Sequence, residues 1–308
     1  MLSKKTVDVR LEPFPHFTID DYLPADLYEQ LRRDWPDRRM LSKQLGEGKF
    51  IRPVDPETLA ALSETFRWVY SVFNSQAFVE DYFAVLKEGF RRACAPLPIR
   101  GFRLSSAGGA GLFDRTIEMS SEFSLLEADA FLSAHTDKFT KFLSLLVYFP
   151  PDDWKEEYGG QTVLYEAVKP HHSRNWSNRH LPFDQVREVT RSRYKPNAAF
   201  GFIKAPNSWH GVLPITAPSG VARHSLNVNY QTPAGVQKQL PHRLLEAFHR
   251  RVEAPRFRDA PDMKEENRRM REARIRDLAA QGLAPDALAD RFMMTREAVE
   301  QVLETRVE

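Results

Sequence analysis

Three residues of this 308-residue chain have the type and setting to hold a metal: His135, Asp137 and His210. Two imidazoles and one carboxylate make a facial set that binds Fe(II) and leaves its other positions open for chemistry. His135 and Asp137 stand two apart in His135-Thr136-Asp137. On a strand, alternate residues point to one side, so both can reach the same ion. Alone the pair is weak, since average composition yields an H-x-D in roughly one such chain in a few. The second histidine lies in Trp209-His210-Gly211-Val212, after the turn-rich Ala205-Pro206-Asn207-Ser208 and ahead of an apolar strand. Arg223 comes one strand and the turn Pro218-Ser219-Gly220 later. An antiparallel hairpin would return it to the metal end. Its guanidinium suits a fork-shaped contact with a carboxylate better than lysine does.

The elements around these residues change character along the chain. Residues 1–100 read as a mainly helical region packing on the β-rich part of the chain. A short helix opens at Pro24-Ala25-Asp26 and carries Leu27, Leu31 and Trp35 on one face. A second starts near Pro56 with Leu59, Leu62, Phe66, Val69 and Phe73 at helical spacing. A third aligns Val79, Tyr82, Phe83, Leu86, Phe90 and Cys94 and ends at Pro96 and Pro98. These stripes are core. Residues 101–237 instead hold short β-rich runs: Phe123–Leu126, Phe142–Phe149, Gln161–Tyr165, Ala198–Ile203, Gly211–Ile215 and Ser225–Tyr230. Such strands without regular helices between them predict an antiparallel sandwich or barrel. Gly108-Gly109-Ala110-Gly111 has no strand-to-helix phosphate motif around it and reads as a loop.

Residues 169–195 interrupt the strands as a basic insertion. His171, His172, Arg174, Arg179, His180, Arg187, Arg191 and Arg193 meet only Asp184 and Glu188 as acids. This is either a lid over an active site or a solvated excursion. Residues 238–308 return to helix. Ile275–Gly282, Pro285–Phe292 and Thr295–Leu303 have a helix-turn-helix rhythm, with Thr295 a good N-cap. A DNA-binding role would need a basic last helix. Here Glu297, Glu300 and Glu304 stand against Arg296 and Arg306, so a packing appendage or dimer contact is expected and nucleic acid is not.

Taken in order, these runs resemble a known family. The runs are His135-Thr136-Asp137, Lys141 through Phe149, Gly159-Gly160-Gln161-Thr162, Lys195 through Phe202, Trp209-His210-Gly211-Val212 and Arg223-His224-Ser225-Leu226. Together they resemble the Fe(II)/2-oxoglutarate-dependent oxygenases of the prolyl-4-hydroxylase-like group. Glu12 through Asp21 also looks like the start of bacterial members. The resemblance implies a mixed α+β fold: a double-stranded β-helix (a cupin-like jelly roll) with N-terminal helical support and a C-terminal helical appendage. It implies Fe(II) on His135, Asp137 and His210. It gives the distal carboxylate of 2-oxoglutarate to Arg223, with Tyr148 and Ser225 as hydrogen-bond partners. O2 is the co-reactant, ascorbate a helpful reductant, and succinate and CO2 the coproducts of hydroxylating an unactivated C–H bond. Asp137 stands where related halogenases carry a small residue, which favours hydroxylation. The sequence departs from the pattern at Leu126, where the family often has tyrosine, and in the 75 residues from His135 to His210.

Composition sets the remaining expectations. A net charge of +2 is too mild for a general nucleic-acid binder. No stretch suits a signal peptide or a bilayer span. The single cysteine, Cys94, fits a reducing cytoplasm and reads as a buried structural thiol. His16, His242 and His249 read as structural, and His224 points away from Arg223 on its strand. His171, His172 and His180 lack an ordered ligand spacing. The expected substrate is a small or carrier-bound molecule, anionic if the basic insertion covers it. A peptide or prolyl-type substrate is the alternative, and a homodimer through the C-terminal helices is a further expectation.

Overall fold

The computed structural model describes residues 7–37, 40–43, 49–93, 101–108, 114–292 and 294–305. Cys94, Gly109 to Gly111 and Arg306 lie outside them. In chain order the strands are β1 (Asp8–Arg10), β2 (His16–Ile19), β3 (Ser42–Lys43), β4 (Lys49–Pro53), β5 (Gly101–Leu104), β6 (Asp114–Leu126) and β7 (Leu132–His135). Then come β8 (Lys141–Tyr148), β9 (Val163–Ala167), β10 (Val186–Arg191), β11 (Ala199–Ile203), β12 (His210–Val212) and β13 (Arg223–Gln231). The helices are α1 (Ala25–Arg33), α2 (Pro56–Ala61), α3 (Glu64–Phe73), α4 (Gln76–Ala93), α5 (Ala234–Gln237), α6 (Leu240–Glu253), α7 (Met263–Ala280), α8 (Pro285–Phe292) and α9 (Arg296–Glu304).

Two sheets face each other as a jelly roll. The larger runs β1-β2-β11-β8-β13-β6-β4-β3, with β5 alongside β6, and the smaller runs β10-β9-β12-β7. Apart from the parallel β5–β6 pair, the named pairings are antiparallel. All six β-rich runs expected from the sequence carry strands. The expectation of a mainly helical N-terminus needs amending, because β1 to β4 extend the larger sheet on both edges. β2 is only four residues long and reads His16-Phe17-Thr18-Ile19; its signal comes from pairing with β11 rather than from its own periodicity. The segment from Pro56 is two helices, not one. Leu62 is extended, and Ser63 starts afresh by accepting a hydrogen bond from the Phe66 N–H at 3.3 Å.

The helices α1, α3 and α4 bury their apolar stripes on the outer face of the larger sheet. Trp35, Phe66 and Phe123 meet edge-on, with ring centres 5.2 to 6.4 Å apart. Burial of a side chain such as Phe123 stabilises the fold by about 1.5–3 kcal/mol, and several more do the same here. Tyr82 of α4 donates its hydroxyl to the Ser144 carbonyl at 2.7 Å, fixing the helix against β8. Gly201 is required beneath it, since a Cβ there would stand 2.4 Å from Phe17 and 2.6 Å from the Tyr82 hydroxyl. This helical layer makes the larger sheet a rigid wall.

The C-terminal helices α7, α8 and α9 have their own small core of Ile275, Leu278, Leu288, Phe292, Val299 and Val302. Arg274 and Arg291 both reach the buried carboxylate of Asp129 and so join this bundle to the turn before β7. No helix among the described residues is long and apolar enough to cross a membrane.

Candidate active site

β7 ends on His135 and β12 begins on His210, and the two residues face each other as a cross-strand pair. Gly211 allows this closeness, because a Cβ there would stand 2.5 Å from the Leu132 carbonyl oxygen. Asp137 arrives differently from the strand alternation expected. It lies past the end of β7 with φ of +65°, in the left-handed region that aspartate tolerates better than most residues. Thr136 anchors the turn by donating to the Asn175 carbonyl at 2.8 Å. The three residues are buried and offer ligand atoms that all lie within 4.8 Å of one another.

Each imidazole is tethered from behind. His135 Nδ1 stands 3.0 Å from the Ser133 carbonyl and His210 Nδ1 2.8 Å from the Ser208 carbonyl. Both Nδ1 atoms therefore carry the proton, and both Nε2 lone pairs turn inward. Burial holds both imidazoles below their ordinary pKa, so they are neutral, as metal ligands must be. Burial alone would raise the Asp137 carboxyl. Lys141, donating to Oδ1 at 2.9 Å, together with the two histidines outweighs it and holds the group ionised, well below the usual carboxylate range. The Nε2 atoms stay 3.8 and 3.7 Å from the Asp137 oxygens, too far for hydrogen bonds. The donor set thus fits a divalent ion: two free imidazole lone pairs, one carboxylate and second contacts that fix them.

Arg223 lies on another wall of the same cavity. It opens β13, opposite Leu126, which also lines the cavity. Its Nε donates to the Gly160 carbonyl at 2.6 Å and Nη1 to Ser225 Oγ at 3.1 Å. Its Cζ stands 5.2 Å from the ring centres of both Tyr148 and Tyr194, so two aromatic faces hold the guanidinium. The hydroxyl of Tyr148 is engaged with Thr162 and Ser192, each at 2.8 Å. Tyr148 is fully buried and supports Arg223 and Thr162, whereas Thr162 itself lines the cavity.

Several cavity residues are given no role at the site by the sequence reading. Lys141 touches Asp137; Glu122 accepts from Lys49 at 3.2 Å and from Asn227 at 3.0 Å; Ser144 donates to Asn229 at 2.9 Å. All of them line the cavity of His135, Asp137 and His210. Their one sequence signal is the alternation along β6, β8 and β13, which puts them on the inner face, but alternation does not say which inner face is wet. His180 is another. Its ring stacks on His135 with centres 4.9 Å apart and its Nδ1 meets Ser133 Oγ at 2.8 Å.

The basic insertion divides. Residues 175–181 pack beside the cavity of His135, Asp137 and His210, with Leu181 bridged to Ala134. From Val186 the chain is β10, paired to β9, and its arginines face outward in ion pairs: Arg187 with Glu166, Arg191 with Glu188 and Arg193 with Asp20. None of these arginines lines that cavity. His224 stacks on Trp35 with ring planes 4° apart, away from the cavity as its strand position requires.

The sequence comparison agrees with this geometry. Residues 121–231 match the family described as the 2OG-Fe(II) oxygenase superfamily. The chain carries His135, Asp137, His210 and Arg223 within that matched stretch, which is similar to Fe(II)- and 2-oxoglutarate-dependent oxygenases. Among solved structures it is similar to a Pseudomonas putida prolyl-4-hydroxylase, with 18% identity, 72% of this chain and 95% of that one covered and a TM-score of 0.43. It is also similar to HygX from Streptomyces hygroscopicus with nickel and 2-oxoglutarate bound (12%; 71% and 83% covered; 0.39). A third is a prolyl hydroxylase from Trichoplax adhaerens in complex with a hypoxia inducible factor peptide (12%; 70% and 83%; 0.38). No curated protein matches the chain in sequence.

Proposed function

We propose that the chain hydroxylates an unactivated C–H bond of a polar small-molecule or carrier-bound substrate, with His135, Asp137 and His210 as the iron ligands. The observation that carries this reading is the pair of inward Nε2 lone pairs and an ionised carboxylate in one cavity with Arg223. Bound there, Fe(II) with 2-oxoglutarate and O2 supplies the oxidising power, and succinate and CO2 are the coproducts. The protein's own part is orientation. Arg223 takes the distal carboxylate of 2-oxoglutarate, with Ser225 on its Nη1 and Thr162 beside it. Tyr148 acts through Thr162 and through the face it offers to the guanidinium. Lys141 keeps Asp137 ionised and turned to the metal.

The substrate reading rests on the open side of the cavity. Lys49, Glu122, Asn227 and Asn229 give it both donors and acceptors, which suits a hydrogen-bonding substrate more than an apolar one. With Arg187, Arg191 and Arg193 paired outside, anionic character in the substrate would be met by Lys49 and Lys141 rather than by a lid. The deciding assay is succinate formation by purified protein with Fe(II), 2-oxoglutarate, ascorbate and air, alone and with a pooled metabolite extract. Iron-dependent succinate that vanishes in His135→Ala and rises with extract is the expected result. Stimulation by proline-containing peptides but not by small metabolites would move the substrate to the peptide class.

A homodimer through the C-terminal region is supported by α6. The helix turns His242, Glu246, His249 and Glu253 to the protein and leaves Leu240, Leu244, Leu245, Phe248 and Val252 between 43% and 66% exposed. A continuous apolar stripe of this kind marks an interaction surface. Light scattering should give twice the monomer mass for the wild type and the monomer mass for Leu244→Glu/Phe248→Glu.

A further inference from the structure

A second cluster with the donor composition of the iron site lies on the smaller-sheet side of the molecule. His171 and His172 sit in one short 3-10 turn after β9, and Asp259 comes from the segment between α6 and α7. Their ligand atoms all lie within 4.8 Å of one another. His171 Nε2 stands 3.1 Å and His172 Nε2 3.0 Å from Asp259 Oδ1. Adjacent histidines could not be read as a site from sequence, because the third donor is 87 residues away from His172.

The setting is built rather than loose. His172 is fully buried, with its ring stacked on Phe257 at 4.7 Å and 11°, and its carbonyl accepts the indole N–H of Trp209 at 3.2 Å. Its Nδ1 is buried without a hydrogen-bond partner, so the ring is held by packing and by what its Nε2 does. Lys169 donates to Asp259 Oδ2 at 2.7 Å, which His171 Nε2 also approaches to 3.1 Å, while Oδ1 faces both histidines. Lys141 plays the same part on Asp137 in the buried site. Zn(II) bound to nitrogen and oxygen at about 2.0–2.1 Å in a tetrahedral site keeps its donors about 3.3 Å apart. The two His–Asp separations need widen only slightly to reach that spacing.

We propose that His171, His172 and Asp259 form a second metal site, for a divalent ion such as Zn2+, that staples the 170–172 turn to the chain between α6 and α7. The ion takes the Nε2 lone pairs, each neutral ring then carrying its proton on Nδ1, and water completes its coordination. Because the turn carries Trp209 and so the start of β12, the staple braces the strand on which His210 sits. It is independent of the iron assignment.

The test is Zn2+ binding to the full chain carrying His135→Ala and His210→Ala, which removes two donors of the buried site. Calorimetry and metal analysis after desalting should find one Zn2+ per chain and a melting temperature that rises with Zn2+. Adding His171→Ala and Asp259→Asn should abolish both effects. His171 and Asp259 side chains are 48% and 45% exposed, so the fold should survive, as circular dichroism would verify. No stoichiometric zinc in the first variant overturns the proposal, and so does zinc retained in the second. Should the first variant fail to fold, the same loss of one Zn2+ is read between the wild type and His171→Ala/Asp259→Asn.

Discussion

The molecule brings two histidines and an aspartate together twice, in opposite ways. At the buried cluster the imidazoles are tied through Nδ1 to carbonyls two residues before them in the chain, and their Nε2 atoms stand clear of the carboxylate by 3.7 to 3.8 Å. At the surface cluster the Nε2 atoms close onto the carboxylate at 3.0 to 3.1 Å. The difference lies in what the backbone can prevent. Paired strands fix His135 and His210 where mutual hydrogen bonding is out of reach, so donor capacity is held open. A turn and a connecting segment allow the groups at the surface to satisfy one another. Preorganisation of the first kind lets a site bind a reactive ion without first breaking internal bonds.

That contrast can be broken most severely at Arg223, whose four surrounding partners leave it no alternative seat. Arg223→Met should raise the KM for 2-oxoglutarate by about 100-fold, the effect of losing a buried charge-paired contact worth about 2–5 kcal/mol. Iron binding, read as Fe(II) or Mn(II) affinity, should barely move. An equal loss of both would mean the two halves of the site are not separable.

Lys141 gives a smaller effect and a sharper one. Lys141→Met removes the contact that keeps Asp137 ionised and oriented. Metal affinity should fall by about 10-fold or somewhat more, as for other groups that hold a ligand from behind, with the 2-oxoglutarate KM little changed. Unchanged metal affinity would show that the left-handed turn at Asp137 orients the carboxylate by itself.

The smallest expected effect lies behind the site, at Lys204. Burial pushes its ammonium down to about 7, although its Nζ donates to the Asn175 and Ala205 carbonyls at 3.0 and 3.2 Å. Above that pH the folded chain has released a proton that the unfolded chain keeps up to the ordinary lysine value. Stability should therefore rise with pH through this window, by on the order of 1 kcal/mol per unit. Lys204→Met should flatten that slope in melting experiments between about pH 7 and 10. A slope identical in both proteins would show that the ammonium stays charged in the fold.

Much of this protein was legible in its residues. The six β-rich runs are strands because short runs rich in β-branched and aromatic residues, bounded by turn residues, favour extended backbone locally. His135, Asp137, His210 and Arg223 were legible because chemistry fixes their types and their flanks fix their order. The N-terminal strands were not legible. β2 and β4 are short and gain their hydrogen bonds from β11 and β6, far away in sequence. Nor could the sequence show that Asp137 joins His135 and His210 through a positive-φ turn, or that Tyr148 spends its hydroxyl on Thr162 and Ser192. The sequence by itself determined which donors exist and on which kind of element they ride. Only the tertiary structure decided which donors meet: Lys141 with Asp137, Glu122 with Lys49, and Asp259 with two histidines nearly ninety residues before it. The physical reason is that donor chemistry is local to a side chain, whereas coordination and ion pairing depend on distances set by the packing of the whole chain.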